Sequence, residues 1–520
     1  MKTTKNKDIY VTRRILLFIT IISIIIEMIF FPSISNLVGC IMILICYFLF
    51  SNFFLKRDLI INAPFSFFMF SSIFLYRYLP LLGTLLEGKP ISFGMVDPIK
   101  TFILETILFC IACLAFYFST INIKKTNILQ VGLNMFGFYK KSNERTIWIL
   151  GIVGLSARII TLAMGNIETG NIIGKALNVL FYYMYTPIIL FFPCFYKSNY
   201  KISIDIKNKK VWIYVIFISL LNLATNSRNK LITPFAMIIL IGFLALLINN
   251  KVINKLFRPQ ILIKGIVIFC IGLFFISSIS KAMLINRNIR EEISFPELIE
   301  STINTLTSGN IKSEWELYNK KQFIPKNYDE GWTETYIDNF LLNRFCNIRI
   351  TDETLYLAEK IGGNNKMLED FKDRIISVLP QPIINILGLD FNKENYYNSR
   401  GDVLYFYSNV GESWDLGGFR VTSHLGDGIA TFGILYFILQ LIMWYFVMIL
   451  LNSLSIYTKR DGRVYSIYGL LTVYTSLLMF GNANGMISDI LYCLRGYWQE
   501  IILFIIIYKV SRIISCIRIT

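Results

Sequence analysis

Long apolar runs alternate with short, mostly basic connections from residue 15 to residue 509, with one interruption. Runs of about 17–25 apolar residues match the helix length that crosses about 30 Å of hydrocarbon. We read twelve, near 15–31, 37–55, 59–83, 101–123, 146–164, 173–196, 211–226, 230–249, 265–284, 428–452, 464–481 and 490–509. Arg77, Asn482 and Arg495 interrupt the third and the last two. The first run, "RRILLFITIISIIIEMIFF", is long and lacks a small-residue cleavage site, so it reads as a retained helix and not a cleavable signal peptide. The interruption, residues 285–426, is polar and roughly 140 residues long, far beyond an ordinary connection. It carries Trp315, Trp332, Trp414 and many tyrosines, enough apolar surface to fold. The pattern predicts an all-α polytopic membrane protein, with helices one to nine in residues 1–284. Residues 285–426 form a loop domain and residues 427–520 hold helices ten to twelve.

Charge orients this layout, because Lys and Arg near helix ends stay cytoplasmic. Lys2, Lys5, Lys7, Arg13 and Arg14 precede the first helix. Further clusters follow the even-numbered helices: Lys56–Arg57; Lys124, Lys125, Lys140, Lys141 and Arg145; Lys201, Lys207, Lys209 and Lys210; Lys251, Lys255, Arg258 and Lys264; Lys459, Arg460 and Arg463. Lys509, Arg512 and Arg518 come last. Twelve helices put all of these on one side, with both termini cytoplasmic and the large loop outside. The net charge of +17 is then mostly anchoring charge. A nucleic-acid partner is not expected, since no soluble module gathers the basic residues. Most of the nine Cys lie in apolar runs; Cys346 is alone in the loop, so no disulfide forms there. Cys110 and Cys113 have CxxC spacing but sit mid-helix among Phe, Ile and Leu, as core filling.

Within the loop, "DETLYLAEKIGG" reads as a short helix ending at Gly362, with acidic residues in its first turn. "FKDRIISVLPQPIINILGLDF" (371–391) is apolar but short and proline-broken. It is either a segment lying in the membrane interface or a core segment of the loop domain.

Arginines collect on the outer side, where the positive-inside bias would deplete them. Arg77, Arg158 and Arg495 lie in outer halves of helices, and Arg228 sits in the hairpin "LNLATNSRNKLITPF" beside Lys230. Arg287, Arg290, Arg344, Arg349, Arg374, Arg400 and Arg420 lie in the loop. Arginine in a membrane helix costs about 2.5–3.5 kcal/mol and marks a pairing or a ligand path. For Arg77 and Arg158 the plainer reading is snorkelling, or pairing with Glu27 and Glu105. Arg228 has no acidic neighbour. Helices starting near Lys230 and Asp427 point their N-termini outward, toward an anion, and arginine forks add bidentate phosphate geometry. These features fit a phosphate carried on a lipid.

The only histidine, His424, lies in "VTSHLGDGIATFGILYF" where the loop enters the tenth helix. It is either an interfacial residue near a helix start capped by Asp427, or a base. The helix N-terminus and nearby arginines favour a neutral ring that can accept a proton, with Asp427 or Asp402 as orienting partner. Gly426, Gly428 and Gly433 either leave room for a sugar or ease helix packing.

"NSRNK" after an apolar helix, "LLNRF" and "RIISVLPQPI" in the loop, and "SHLGDGIATFGILYF" entering the next helix give the chain its likeness. It resembles the bacterial O-antigen polymerase family, which joins oligosaccharide repeat units on the periplasmic face of the inner membrane. The resemblance implies a GT-C-type glycosyltransferase fold and undecaprenyl-pyrophosphate-linked oligosaccharides as substrates. It further implies metal-independent chemistry without a cofactor, in a bilayer of membrane lipids, with a chain-length regulator protein as a conceivable partner. Arginines would hold the pyrophosphate: Arg228 first, with Lys230, Arg158, Arg77, Arg400, Arg420 and Arg495, while His424, Asp427 and Asp402 would do the proton chemistry. A family pattern of Arg, ten residues and Gly occurs at Arg400–Gly411 and fails at Arg228, where position 239 is Ile. An O-antigen ligase would share the architecture, and a flippase for lipid-linked oligosaccharides is the alternative of another class.

Overall fold

Proline and a capping side chain start several long helices. Pro64 opens α3 (Pro64–Leu85), and Pro98 opens α4 (Pro98–Thr120) after Asp97, whose carboxylate accepts the Lys100 N–H at 3.3 Å. Proline at the first helical position surrenders only an N–H that would lack a partner anyway. Ser33 caps α2 (Ile34–Leu49), and α1 (Lys7–Phe30) precedes it. The computed structural model describes residues 7–163, 177, 179–197, 204–223, 228–249, 278–279, 281–286, 295–307, 313, 327–362, 365–379, 381–389, 391, 398–412, 416–480 and 485–517.

Further along are α5 (Glu144–Ala163), α6 (Lys209–Leu223) and α7 (Arg228–Ile248). The loop region adds α8 (Ile348–Ile361), α9 (Lys366–Ser377) and α10 (Arg400–Tyr407). The chain continues with α11 (His424–Phe432), α12 (Tyr436–Asn452) and α13 (Tyr497–Cys516). The only sheet among the described residues is an antiparallel hairpin, β1 (Ser455–Thr458) with β2 (Gly462–Tyr465).

Eight helices among the described residues are long and apolar enough to cross a membrane: Ile9–Phe30, Ile34–Phe54, Pro64–Leu85, Pro98–Thr120, Glu144–Ala163, Asn229–Ile248, His424–Asn452 and Met486–Cys516. The protein is therefore an all-α polytopic membrane protein. Eight of the twelve expected runs coincide with these. The run at 173–196 contains a 3₁₀ helix of 11 residues, Phe181–Phe191, with Pro187 inside it. That at 211–226 is the 15-residue α6 as far as Leu223. The run at 464–481 is two short helices, Ile467–Leu471 and Val473–Leu478, because β2 takes its first residues. Most of the run at 265–284 lies outside the described residues, as do Arg287 and Arg290.

The chain divides into two units. The first comprises Met1–Lys125, Ile324–Ser453 and Thr475–Gln499; the second comprises Thr126–Phe323, Leu454–Tyr474 and Glu500–Thr520. The expected loop domain is thus shared, its residues from 324 belonging with the first unit. Aromatic rings from α3, α4 and the segment after α2 fill that unit's core: Phe50 stacks on Phe74 at 4.1 Å, and Phe70 on Phe116 at 4.7 Å.

The loop helix α8 is bound to this core through a carboxylate. Asp352 accepts hydrogen bonds from Val96 N (2.6 Å), Asp97 N (3.1 Å), Thr101 Oγ1 (2.9 Å) and the Tyr328 hydroxyl (2.8 Å). The helix ends at Gly362 as the spacing predicts, with φ +61°. It begins earlier than expected, at Ile348, so Asp352 and Glu353 fall beyond its first turn and are buried. In the 371–391 stretch, Phe371 is buried while Ile386, Leu387 and Leu389 are exposed. One half packs in the core and the other presents apolar surface.

Candidate functional sites

In the first unit, three of the arginines expected to hold phosphate, Arg77, Arg400 and Arg420, are engaged by carboxylates. Arg77 is fully buried and meets Glu105 at 2.5 Å, while its Nε donates to the Glu105 carbonyl at 2.8 Å. Glu105 also accepts the Thr351 hydroxyl of α8 at 2.8 Å, and the Tyr76 hydroxyl lies 2.8 Å from that Thr351 oxygen. The pairing reading of Arg77 is the one observed.

Arg400 is more completely occupied. Its Nε donates to Asp427 Oδ1 (2.8 Å), Nη1 to Asp370 Oδ2 (2.5 Å) and the Met367 carbonyl (3.1 Å), and Nη2 to Thr431 Oγ1 (2.6 Å). Nη2 also lies 2.7 Å from Asp427 Oδ1. A guanidinium has five N–H donors, so this fork has none to spare for a ligand in this arrangement. Asp370 further pairs with Arg374 at 2.7 Å.

Asp402 caps its own helix. Ser399 N and Phe419 N donate to one of its oxygens at 3.2 and 2.9 Å, and Arg420 donates to the other from both backbone and side chain. Arg420 pairs with Asp402 at 3.1 Å and lies 4.5 Å over the Tyr405 ring.

His424 begins α11, and the cap is Ser423, which accepts the Gly426 N–H at 2.8 Å. Asp427 does not cap this helix; it belongs to Arg400. The imidazole is 2% exposed, stacks on Phe480 at 4.9 Å and meets Trp444 edge-on at 6.0 Å. Among the described residues neither ring nitrogen has a hydrogen-bond partner, so neither Asp427 nor Asp402 orients the ring here. The nearby glycines are packing positions. A Cβ on Gly426 would lie 2.2 Å from Thr354 Oγ1, and one on Gly428 would lie 2.1 Å from the Tyr436 ring. Gly433, with φ +58°, ends α11 and permits the 3₁₀ turn that leads into α12.

Glu353 is a loop carboxylate the sequence did not single out. It is buried, with Thr333 N donating to Oε1 at 3.2 Å and Oε2 unpartnered among the described residues. Burial outweighs the Thr333 N–H and the Arg349 charge and pushes its carboxyl up to about 8. Among the described residues no three His, Cys, Asp or Glu side chains gather where they could hold a metal ion.

The second unit holds a different cationic group. Gly151 and Gly154 of α5 let the Phe181–Phe191 helix approach backbone to backbone: a Cβ on Gly154 would lie 2.0 Å from Met184 N, and one on Gly151 2.3 Å from Pro187. Small residues allow this spacing between membrane helices. One turn past Gly154, the buried Arg158 comes 5.3 Å from the Phe181 ring centroid. Pro187 has no N–H, so a 3₁₀ helix leaves the Met184 carbonyl unfilled. The Tyr214 hydroxyl donates to it at 2.8 Å.

The same logic places Lys230. Pro234 in α7 cannot donate to the Lys230 carbonyl four residues earlier. Asn222 of α6 donates to that oxygen at 2.9 Å and to the Tyr185 hydroxyl at 3.0 Å. Lys230 Nζ then lies 5.4 Å from the same Phe181 ring. Two cations from two helices thus converge on one aromatic ring, with Tyr185 and Asn222 close by. Arg228 is the first residue of α7; its side chain lies outside the described residues. Arg495 is in the first unit, exposed and donating to Gln499 at 3.0 Å.

No family model, curated protein or solved structure matches the chain.

Proposed function

We propose that this protein polymerises oligosaccharide repeat units carried on undecaprenyl pyrophosphate, as a GT-C-type glycosyltransferase at the periplasmic face of a bacterial inner membrane. The observation that supports this reading is the convergence of Arg158 and Lys230 on Phe181 within the second unit. Two fixed cations at the ends of apolar helices suit the pyrophosphate of a lipid-linked sugar.

The reaction breaks the bond between the anomeric carbon of the growing glycan and a phosphate oxygen. A hydroxyl of the next lipid-linked unit forms the new glycosidic bond, and lipid pyrophosphate departs with the electron pair. Cations preorganised on the departing pyrophosphate stabilise the charge that develops there. The attacking hydroxyl gives its proton to a base, which contributes roughly 10²–10⁴-fold.

Arg158→Ala is expected to abolish chain extension in a ladder assay with the variant still folded, and Arg158→Lys to restore little, because a point charge lacks the fork. Lys230→Ala and Arg228→Ala should each weaken donor binding as well as turnover. Unchanged ladders from Arg158→Ala and Lys230→Ala would remove the anion site from this group.

A further inference from the structure

A cavity of about 590 Å³ with a polar lining lies wholly within the second unit, where α5 begins and α13 ends. Its size falls in the range of small-ligand sites. Three cations line it from three parts of the chain: Lys141 before α5, Lys197 after the short helix Pro193–Tyr196, and Arg512 on α13. Among the described residues Glu144 is the only carboxylate in the lining, and it is taken by Lys197 at 2.7 Å. Lys141 and Arg512 enter no ion pair among the described residues. Arg512 lies 5.8 Å over the Tyr508 ring, and the Tyr508 hydroxyl donates to the Lys140 carbonyl at 2.6 Å, which fixes the chain that carries Lys141.

The floor is built from interlocked polar groups. Asn143 Oδ1 accepts the Thr146 N–H at 2.7 Å, and the Thr146 hydroxyl oxygen lies 2.7 Å from Asn143 Oδ1 and 2.8 Å from Ser515 Oγ. The helices that meet here are the ends of two candidate membrane spans, Glu144–Ala163 and Met486–Cys516. On the last turns of α13, Val510, Ile513 and Ile514 are exposed, as is Ile517 just beyond it. The cavity thus combines cations, donors and a neighbouring apolar flank.

We propose that this cavity binds the phosphate of an anionic phospholipid headgroup, whose acyl chains lie along the exposed face of α13. Basic pockets at the ends of membrane helices take such headgroups. The apolar flank distinguishes a lipid from a soluble phosphate, which would have no use for it. The cavity is separate from the Arg158–Lys230 group and does not depend on the proposed chemistry.

The test uses the full chain in neutral detergent at fixed ionic strength, titrated with phosphatidylglycerol, phosphatidylcholine or inorganic phosphate while thermal unfolding is followed. Phosphatidylglycerol should raise the Tm and phosphatidylcholine should not. In K141Q/R512Q the phosphatidylglycerol needed for half the shift should rise about tenfold or more. K459Q/R460Q, which removes the same charge from the exposed β1–β2 turn, should titrate like the wild type. Should the double variant not fold, Lys141→Gln alone and the charge-preserving pair K141R/R512K carry the test: the first is expected to weaken the response and the second to keep most of it. Equal weakening in K141Q/R512Q and K459Q/R460Q would overturn the site in favour of general surface charge. A full shift from inorganic phosphate alone, with nothing added by the lipid, would overturn the lipid.

Discussion

Arg400 and Arg158 are both buried arginines, yet their surroundings differ in kind. Arg400 is closed by Asp427, Asp370, Thr431 and a carbonyl, whereas Arg158 faces an aromatic ring beside Lys230. Removing one partner from a buried ion pair leaves the other charge uncompensated, which costs about 3–5 kcal/mol. Arg400→Ala should therefore lower the thermal stability of the purified protein severely; a variant that is fully stable but inactive would contradict a structural role. Glu353 gives a pH-dependent counterpart. Its folded carboxyl is raised to about 8 from 4.5, so the folded state binds the extra proton between those values and stability falls as pH rises through that window. Glu353→Gln keeps the neutral shape and should flatten the fall in Tm between about pH 5 and pH 8. Parallel profiles for the two proteins would show that Glu353 ionises as freely folded as unfolded. Sequence alone shows that arginines are numerous on the outer side. It does not show which are paired, because Asp370 and Asp427 reach Arg400 from 30 and 27 residues away.

At the scale of elements, close approaches decide where the side chains stand. Gly426 seats α11 against α8 at Thr354, whose hydroxyl lies 2.7 Å from that of Ser423. Gly426→Ala forces a methyl into that contact, an overpacking cost of about 1–3 kcal/mol. The Tm should fall, and adding Thr354→Gly should recover part of it; no recovery would place the strain elsewhere. The end of α8 at Gly362 was legible from spacing, and so was the helix entering near His424. Its cap is Ser423 and not the expected Asp427; both residue types cap well, so sequence does not choose between them. The contributions of Pro187 and Pro234 were legible in principle: each proline leaves a carbonyl that some donor must fill. Which donors fill them, Tyr214 and Asn222, is a fact of tertiary packing. Asn222→Ala should release Lys230 from its position and raise the KM for lipid-linked donor more than it lowers kcat. An effect on kcat alone would deny Asn222 a positioning role.

Across the whole molecule, the apolar pattern established a polytopic helical protein, and eight of its runs are spans by length and composition. The runs that are not continuous long helices carry their own reason, such as Pro187 within the 3₁₀ helix and the strand that takes the start of 464–481. Periodicity counts apolar residues well but does not register a helix tightened around a proline or a run whose start pairs as a strand. The division into two units was not legible either, because residues 324–426 join helices more than 200 positions earlier through Asp352 and Thr351. The proposed reaction uses arginine and lysine where other enzymes use a divalent cation, so extension should survive chelation by EDTA; loss restored by magnesium or manganese would contradict a cation site made of side chains. The central claim is that the protein forms glycosidic bonds from a lipid pyrophosphate donor, and detergent micelles test it most directly because they offer no second leaflet for a flippase to serve. Purified protein mixed there with undecaprenyl-pyrophosphate-linked repeat units should yield a ladder of lengthened glycans that Arg158→Ala fails to make. Unextended repeat units from fully folded wild-type protein under those conditions would contradict it.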